Sequence, residues 1–225
     1  MVSPQSDFTA WLIDLDGTLY RQLPVKLAMA AELCFAGTSV WRVISTFRRE
    51  HEQIREAARN GTARSGNPFH DQLKATARKL DLPITTVEHT VTQWMFDRPS
   101  RWLKHFRRKS LIREIREFRR AGGRTALVSD YPARTKIMAL GIADLFDEVV
   151  ASGDAEDLRL KPAPDGFLLA ASRLGVSPGE CLVIGDRSDA DGLAARQAGM
   201  AFRKVPGSVI TDSSTQPAHA AVAAS

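Results

Sequence analysis

The chain returns repeatedly to short apolar runs that stop at a carboxylate or a hydroxyl: WLID closes at Asp14, TALVS at Ser129, FDEVVAS at Ser152 and CLVIGD at Asp186, with MAFRKV following Gly199. Each run is too short for a buried helix, and from the second onward the runs are separated by stretches whose apolar residues recur at helical spacing. Strands alternating with helices in this way imply an α/β fold, one parallel sheet joined by right-handed crossovers. Such strands are covered on both faces, so charge belongs at their carboxyl ends, the edge at which open α/β sheets bind ligands.

In the first run Trp11, Leu12, Ile13 and Leu15 read as a buried strand, broken at Gly17, with Asp14 and Asp16 at its end. Two acids one residue apart at a sheet edge are costly unless something positive meets them. After Tyr20 the alternation stops, and no strand pattern returns before the basic stretch near residue 110. Helical patterns run instead over 24–35, Val40–Ala58, Phe69–Leu80 and Ile84–Phe96, punctuated at Gly37, Asn60-Gly61, Gly66-Asn67-Pro68 and Arg98-Pro99. The chain therefore divides into a core of residues 8–20 and 108–206, an inserted helical unit of residues 21–107, and a tail, 207–225, that has little to bury and is expected to be mobile. Within the core, helices are expected over 110–121, Ala133–Leu140, Asp165–Leu174 and Asp191–Ala198.

A length of 225 residues suits one domain with such an insertion. No apolar run approaches the roughly 18 residues of a membrane span, and MVSPQSDFTA has neither the basic nor the apolar region of a secretory signal. Cys34 and Cys181 stand in unrelated contexts and read as two small buried thiols, so a reducing cytoplasm is expected. The net charge of +5 is local in origin, because residues 101–124 hold ten Lys and Arg against two Glu. Leu111, Ile112, Ile115 and Phe118 recur there at helical spacing, which makes the arginines the solvated face of an amphipathic helix ending at Gly122 rather than a nucleic-acid site.

The remaining strand ends bring further chemistry to the edge that holds Asp14 and Asp16. Ser129 ends the second strand, Lys161 lies in the loop after the third, and Asp186 ends the fourth, followed by Asp189 and Asp191. A hydroxyl, an ammonium and several carboxylates together suit a phosphate ester meeting a divalent cation. Mg²⁺ takes oxygen ligands and a few carboxylates, and Asp14 and Asp186 would supply them. Phosphoryl transfer rests on positioning and on donors to the equatorial oxygens; Ser129, Lys161 and the backbone N–H groups of Leu15 and Asp16 are the candidates. A second carboxyl two residues from a nucleophile can give a proton to the leaving group and take one from water, which is the place of Asp16.

With Asp14-Leu15-Asp16-Gly17-Thr18, a serine ending the second strand, the lysine of LKPAP and GDRSDAD at 185–191, the chain resembles a haloacid dehalogenase superfamily phosphatase over residues 10–206. The resemblance implies a Rossmann-like parallel sheet of strand order 5-4-1-2-3 with an α-helical cap inserted after the first motif, as in the branch of phosphoglycolate phosphatases and β-phosphoglucomutases. It makes Asp14 the nucleophile and a metal ligand, Asp16 the general acid and base with its backbone carbonyl on the metal, and Ser129 and Lys161 the holders of the phosphate. Asp186 becomes a metal carboxylate, and Asp191, ranked ahead of Asp189, a second acid acting through water or by orienting a neighbour. Dehalogenases of the superfamily lack the acid at the place of Asp16 and need no metal. The expected activity is Mg²⁺-dependent hydrolysis of a small phosphorylated metabolite through an aspartyl phosphate. Two rivals stay open: a sugar phosphomutase on the same core, and a catalytically weak binding or scaffold protein that uses the basic helix.

Other residues carry less. His51, His70, His89, His105 and His219 lack metal-ligand spacing and are expected to face solvent or pack partly. Trp41, Trp94 and Trp102 are expected to pack the helical insert, with one of them a candidate for the cleft, and Lys26 and Lys74 read as surface lysines. Arg21 and Gln22, where the chain leaves the first motif, are candidates to face a leaving group.

Overall fold

The computed structural model describes residues 7–62, 66–152, 158–206 and 210–211. Ala10–Ile13 form β1, and all four side chains are buried. β1 runs parallel between β2 (Arg124–Ser129) and β4 (Cys181–Gly185), with Ile13 beside both Leu127 and Ile184. β3 (Glu148–Ala151) pairs outside β2 and β5 (Ala201–Lys204) outside β4, again parallel. The parallel order is thus 3-2-1-4-5, the expected order read from the opposite edge. Ile210–Thr211 add β6 antiparallel to β5, so the stretch expected to be a free tail supplies a short strand. Pairing Arg203 with Ile210 covers what is otherwise an open sheet edge. The remainder of 207–225 lies outside the described residues.

The pleat sends alternate residues of β1 to opposite cores. Trp11 and Ile13 join Leu127, Leu182 and Ile184 on the face packed by Leu111, Ile112 and Ile115 of α6 (Lys109–Arg120) and by Ile137 and Leu140 of α7 (Arg134–Leu140). Ala10 and Leu12 join Val128 and Val183 under Phe167, Ala170 and Leu174 of α8 (Asp165–Leu174) and Ala194 and Ala195 of α9 (Leu193–Gln197). Two-sided burial is why these strands read as continuous apolar runs. A π-helical turn, Ser188–Gly192, precedes α9.

Between β1 and α6 come α1 (Gln22–Leu33), α2 (Thr38–Arg59), α3 (Pro68–Leu80), α4 (Ile84–Val91) and α5 (Arg98–Phe106). The breaker GNP acts as read, because Asn67 caps α3 by accepting the His70 N–H at 3.1 Å and Pro68 takes the first turn. The expected stop at Arg98-Pro99 is absent. α4 passes through a π-helical segment, Thr92–Asp97, directly into α5. Asp97 and Arg98 keep right-handed helical backbone angles through the junction, and the Ser100 hydroxyl bonds the Phe96 carbonyl at 2.5 Å across it. The outgoing and returning chains are tied together, Arg21 N–H to Phe106 O at 2.9 Å and Arg108 N–H to Leu19 O at 2.8 Å. Among the described residues no helix is long and apolar enough to cross a membrane.

Candidate active site at the carboxyl edge of the sheet

β1 and β4 end side by side, and the ladder continues one step beyond them, where the Asp14 N–H bonds Ile184 O at 2.9 Å. Asp14 is buried there. Its Oδ2 accepts the Thr18 hydroxyl at 2.8 Å, and its Oδ1 receives the Lys161 ammonium at 2.5 Å. Lys161, also buried, reaches Asp191 Oδ1 at 2.8 Å, while Asp191 Oδ2 accepts the Arg187 N–H at 3.2 Å. Carboxylate oxygens of Asp14, Asp186 and Asp191 lie within 4.8 Å of one another. Asp189 points elsewhere, held at 2.7 Å by Arg187 and at 3.7 Å by Arg59.

Ser129, at the end of β2, is buried and lines the same cavity, of about 290 Å³. Its Oγ accepts the Tyr131 N–H at 3.2 Å, which leaves its own O–H to donate. The N–H groups of Leu15 and Asp16 donate to nothing among the described residues. Gly17 closes the turn with φ 99°, and a Cβ there would overlap the Asp186 carboxylate, so this close approach requires glycine.

Asp16 sits beside the triad with different partners. Lys136 of α7 donates to both of its oxygens at 2.7 Å, and the Tyr20 hydroxyl bonds Oδ1. The two neighbouring acids are therefore driven apart electrostatically. Burial pushes the Asp14 carboxyl up to about 8, against the opposing pull of Lys161, and the Asp191 charge adds to the rise. For Asp16 burial also pushes upward, but the Lys136 charge, the hydrogen bonds from Lys136 and Tyr20, and the Lys161 charge outweigh it and hold the group below its ordinary range. Asp186 is raised by burial and then by Asp191.

A family model described as haloacid dehalogenase-like hydrolase matches residues 8–199. The chain belongs to that family. Across most of its length this hydrolase is similar to a phosphoglycolate phosphatase of Shigella boydii, 27% identical over 215 residues, with 86% of this chain and 79% of the relative covered. Higher identity is confined to a shorter stretch: 46% over 68 residues with the fructose-1-phosphate phosphatase YqaB of Escherichia coli, 30% of this chain and 35% of that one. Matches of this short kind span 26% to 35% of the relatives' own length. In fold, the hydrolase superposes on the L-2-haloacid dehalogenase of Xanthobacter autotrophicus with a TM-score of 0.60 at 20% identity, covering 88% of this chain and 77% of that one.

The phosphatases of the family imply a divalent metal, and the donor set of this chain fits one. The cavity lining as a whole holds six carboxylates and six Lys or Arg side chains, but three of the carboxylates, Asp14, Asp186 and Asp191, converge within 4.8 Å of one another. Every candidate ligand in that group is a hard oxygen, the donor type that a divalent cation such as Mg²⁺ takes.

Several lining residues escaped the sequence reading. Lys136 and Tyr20 carry no motif, and Asp130 hides beside Ser129. His51, expected to be exposed or partly packed, is buried: its ring stacks on Tyr131 with centroids 4.4 Å apart, its Nδ1 lies 3.3 Å from Gln72 Oε1, and burial lowers its pKa. Period-3.6 patterning could have flagged it, since it shares a face of α2 with the buried Phe47 and Arg55. Gln22, Trp94 and Lys26 line the cavity, whereas Arg21 and Trp41 are exposed and outside it, and Trp102 bonds Glu32 at 3.1 Å. Cys181 is buried as expected, but Cys34 is exposed, because it follows the last turn of α1, where the chain turns back into solvent.

Proposed function

We propose that the protein is a cytoplasmic, Mg²⁺-dependent phosphomonoesterase that acts on a small phosphorylated metabolite through an aspartyl phosphate, with α1–α5 as its cap. The observation that carries this reading is the pairing of two acids of opposite character on one turn: Asp14, buried on Lys161 and close to Asp186 and Asp191, and Asp16, held on Lys136 and Tyr20. A single acid would suffice for displacement, and the second supports a mechanism in which protons also move.

In the first step an Asp14 oxygen attacks phosphorus, the bond to the ester oxygen breaks, and the leaving alkoxide takes a proton from Asp16. The arriving phosphate charge raises the proton affinity of Asp16, which is needed in its carboxyl form at that moment. Lys161, the Ser129 hydroxyl and the Leu15 and Asp16 N–H groups hold the phosphoryl oxygens. In the second step Asp16 removes a proton from water, the water oxygen attacks phosphorus, and the P–O bond to Asp14 breaks to release inorganic phosphate. Bound by Asp14, the Asp16 carbonyl and Asp186, with Asp191 acting through water, Mg²⁺ would screen the repulsion between the carboxylate and the phosphate. Gln22, Lys26 and Trp94, among the cap residues that line the cavity, are candidates to meet the leaving group.

The test is phosphate release from a panel of phosphorylated metabolites with Mg²⁺, beginning with fructose 1-phosphate and phosphoglycolate, the compounds named for the relatives. Asp14→Asn is expected to lose at least about 10⁴-fold in kcat, since it removes a nucleophile that nothing replaces. Hydrolysis by Asp14→Asn at the parent rate would overturn the reading, and isomerisation of a sugar phosphate without phosphate release would favour a mutase.

A further inference from the structure

Three residues one turn apart on α2, His51, Arg55 and Arg59, form a seam against three loops of the sheet edge. His51 stacks on Tyr131, Arg59 lies 3.7 Å from Asp189, and between them Arg55 enters the site itself. Arg55 is 7% exposed, although it belongs to a helix whose other arginines face solvent. Its Nε donates to the backbone carbonyl of Lys161 at 3.3 Å and stands 3.8 Å from Asp130 Oδ2. The other carboxylate oxygen, Asp130 Oδ1, accepts the backbone N–H of Lys161 at 3.1 Å. Both polar groups of the Lys161 residue's main chain are thus gripped, the N–H by Asp130 and the C=O by Arg55, and the two gripping side chains face each other.

We infer that Arg55 is a positioning residue that, with Asp130, fixes the main chain of Lys161 so that its ammonium points between Asp14 and Asp191. The physical reason is the length of the lysine side chain. Four methylenes leave Nζ free to sweep a wide volume, and a 2.5 Å contact to Asp14 and a 2.8 Å contact to Asp191 are met together only if the root of the side chain is fixed. Asp130 leaves β2 directly after Ser129, so it also ties the lysine to the strand end that carries the candidate phosphate hydroxyl. Arg55 comes from the inserted helices, so the lysine is held from both sides of the cavity. Burying a guanidinium is costly unless it is paired and hydrogen-bonded, and the Asp130 carboxylate, Glu52 at 3.6 Å and the Lys161 carbonyl together meet that requirement.

This inference rests on the phosphatase reading for its kinetic consequence and on geometry alone for its structural one, so two measurements are paired. With p-nitrophenyl phosphate and Mg²⁺, Arg55→Gln is expected to lower kcat by about 10- to 100-fold while KM moves less than about threefold, because the charge stays in the site but is misdirected. In a Lys161→Met background the same substitution is expected to cost nothing further, since a positioning residue has then lost what it positions. By hydrogen exchange, the Lys161 amide of Arg55→Gln is expected to exchange at least about tenfold faster than in the parent, with the amides of β1 and β4 unchanged. If Arg55→Gln fails to fold, Arg55→Lys keeps the stem and charge, loses the Nε–H, and is expected to give the same pattern at smaller amplitude. Loss expressed in KM alone, full additivity with Lys161→Met, or unaltered exchange at Lys161 would each overturn the inference. A parent that releases no phosphate from any ester would overturn the phosphatase reading instead, and exchange at Lys161 would still decide the clamp.

Discussion

Gly17 shows how tightly individual residues are constrained at this edge. Its φ of 99° disfavours any side chain, and a methyl group there would collide with the Asp186 carboxylate. Gly17→Ala is expected to cost about 1–2 kcal/mol in backbone strain and to push Asp186 from its place. Thermal denaturation and Mg²⁺ titration calorimetry check this: lower Tm and weaker Mg²⁺ binding together are expected, and parent-like values for both would refute the close approach. Asp14, Asp16 and Asp186 could be singled out in the sequence because each sits at or beside the end of an apolar run, and Lys161 because it lies in the LKPAP loop that follows another. Lys136 was not, since it meets Asp16 from 120 positions away on a helix of ordinary composition. His51 and Arg55 were overlooked because they are polar, although both recur at helical spacing from the buried Phe47 on α2.

At the scale of elements, the junction of α6, β2 and β3 depends on a charged clasp. Asp147, just before β3, accepts the Thr125 N–H of β2 at 2.8 Å and pairs with Arg119 of α6 at 2.7 Å. Burial raises its proton affinity, but the hydrogen bonds from Arg119 and Thr125 prevail and hold its pKa below the ordinary 3.8. A carboxyl depressed on folding contributes stability that is fully present above its unfolded value and is lost as pH falls through the folded one. Asp147→Asn is therefore expected to be less stable than the parent in urea at pH 7, with a gap that holds steady down to about pH 5 and narrows below it. A gap that widened in acid would contradict the sign. The β strands were readable because two-sided burial leaves an unbroken apolar signature, and the core helices because a glycine of positive φ, Gly122, Gly141, Gly175 or Gly199, follows each of them. The π-helical junction from α4 to α5 was not readable, since Arg98-Pro99 has the composition of a stop and only packing turns it into a continuation. β6 was missed because two residues carry no periodicity.

For the molecule as a whole, the net charge of +5 and the carboxylate cluster of the site are separate matters. Much of the positive excess lies in residues 101–124, ten Lys and Arg against two Glu, where α6 buries Leu111, Ile112 and Ile115, while Asp14, Asp186 and Asp191 converge at the sheet edge under the inserted helices. Fold family follows from that edge, which is why it was legible from four short motifs. The substrate was not legible, because the cap side chains that line the cavity come from three separate helical segments, and sequence periodicity does not say which of their faces meet the site. The central claim is that Asp14 becomes covalently phosphorylated, and the most direct measurement is acid-quench mass spectrometry of Asp16→Asn during turnover with Mg²⁺. With the base of the second step removed, a phosphoryl adduct is expected to accumulate on the peptide containing Asp14, to be released by hydroxylamine, and to be absent when Asp14→Asn is added. Continued phosphate release with no adduct on that peptide, or an adduct on another residue, would contradict the account.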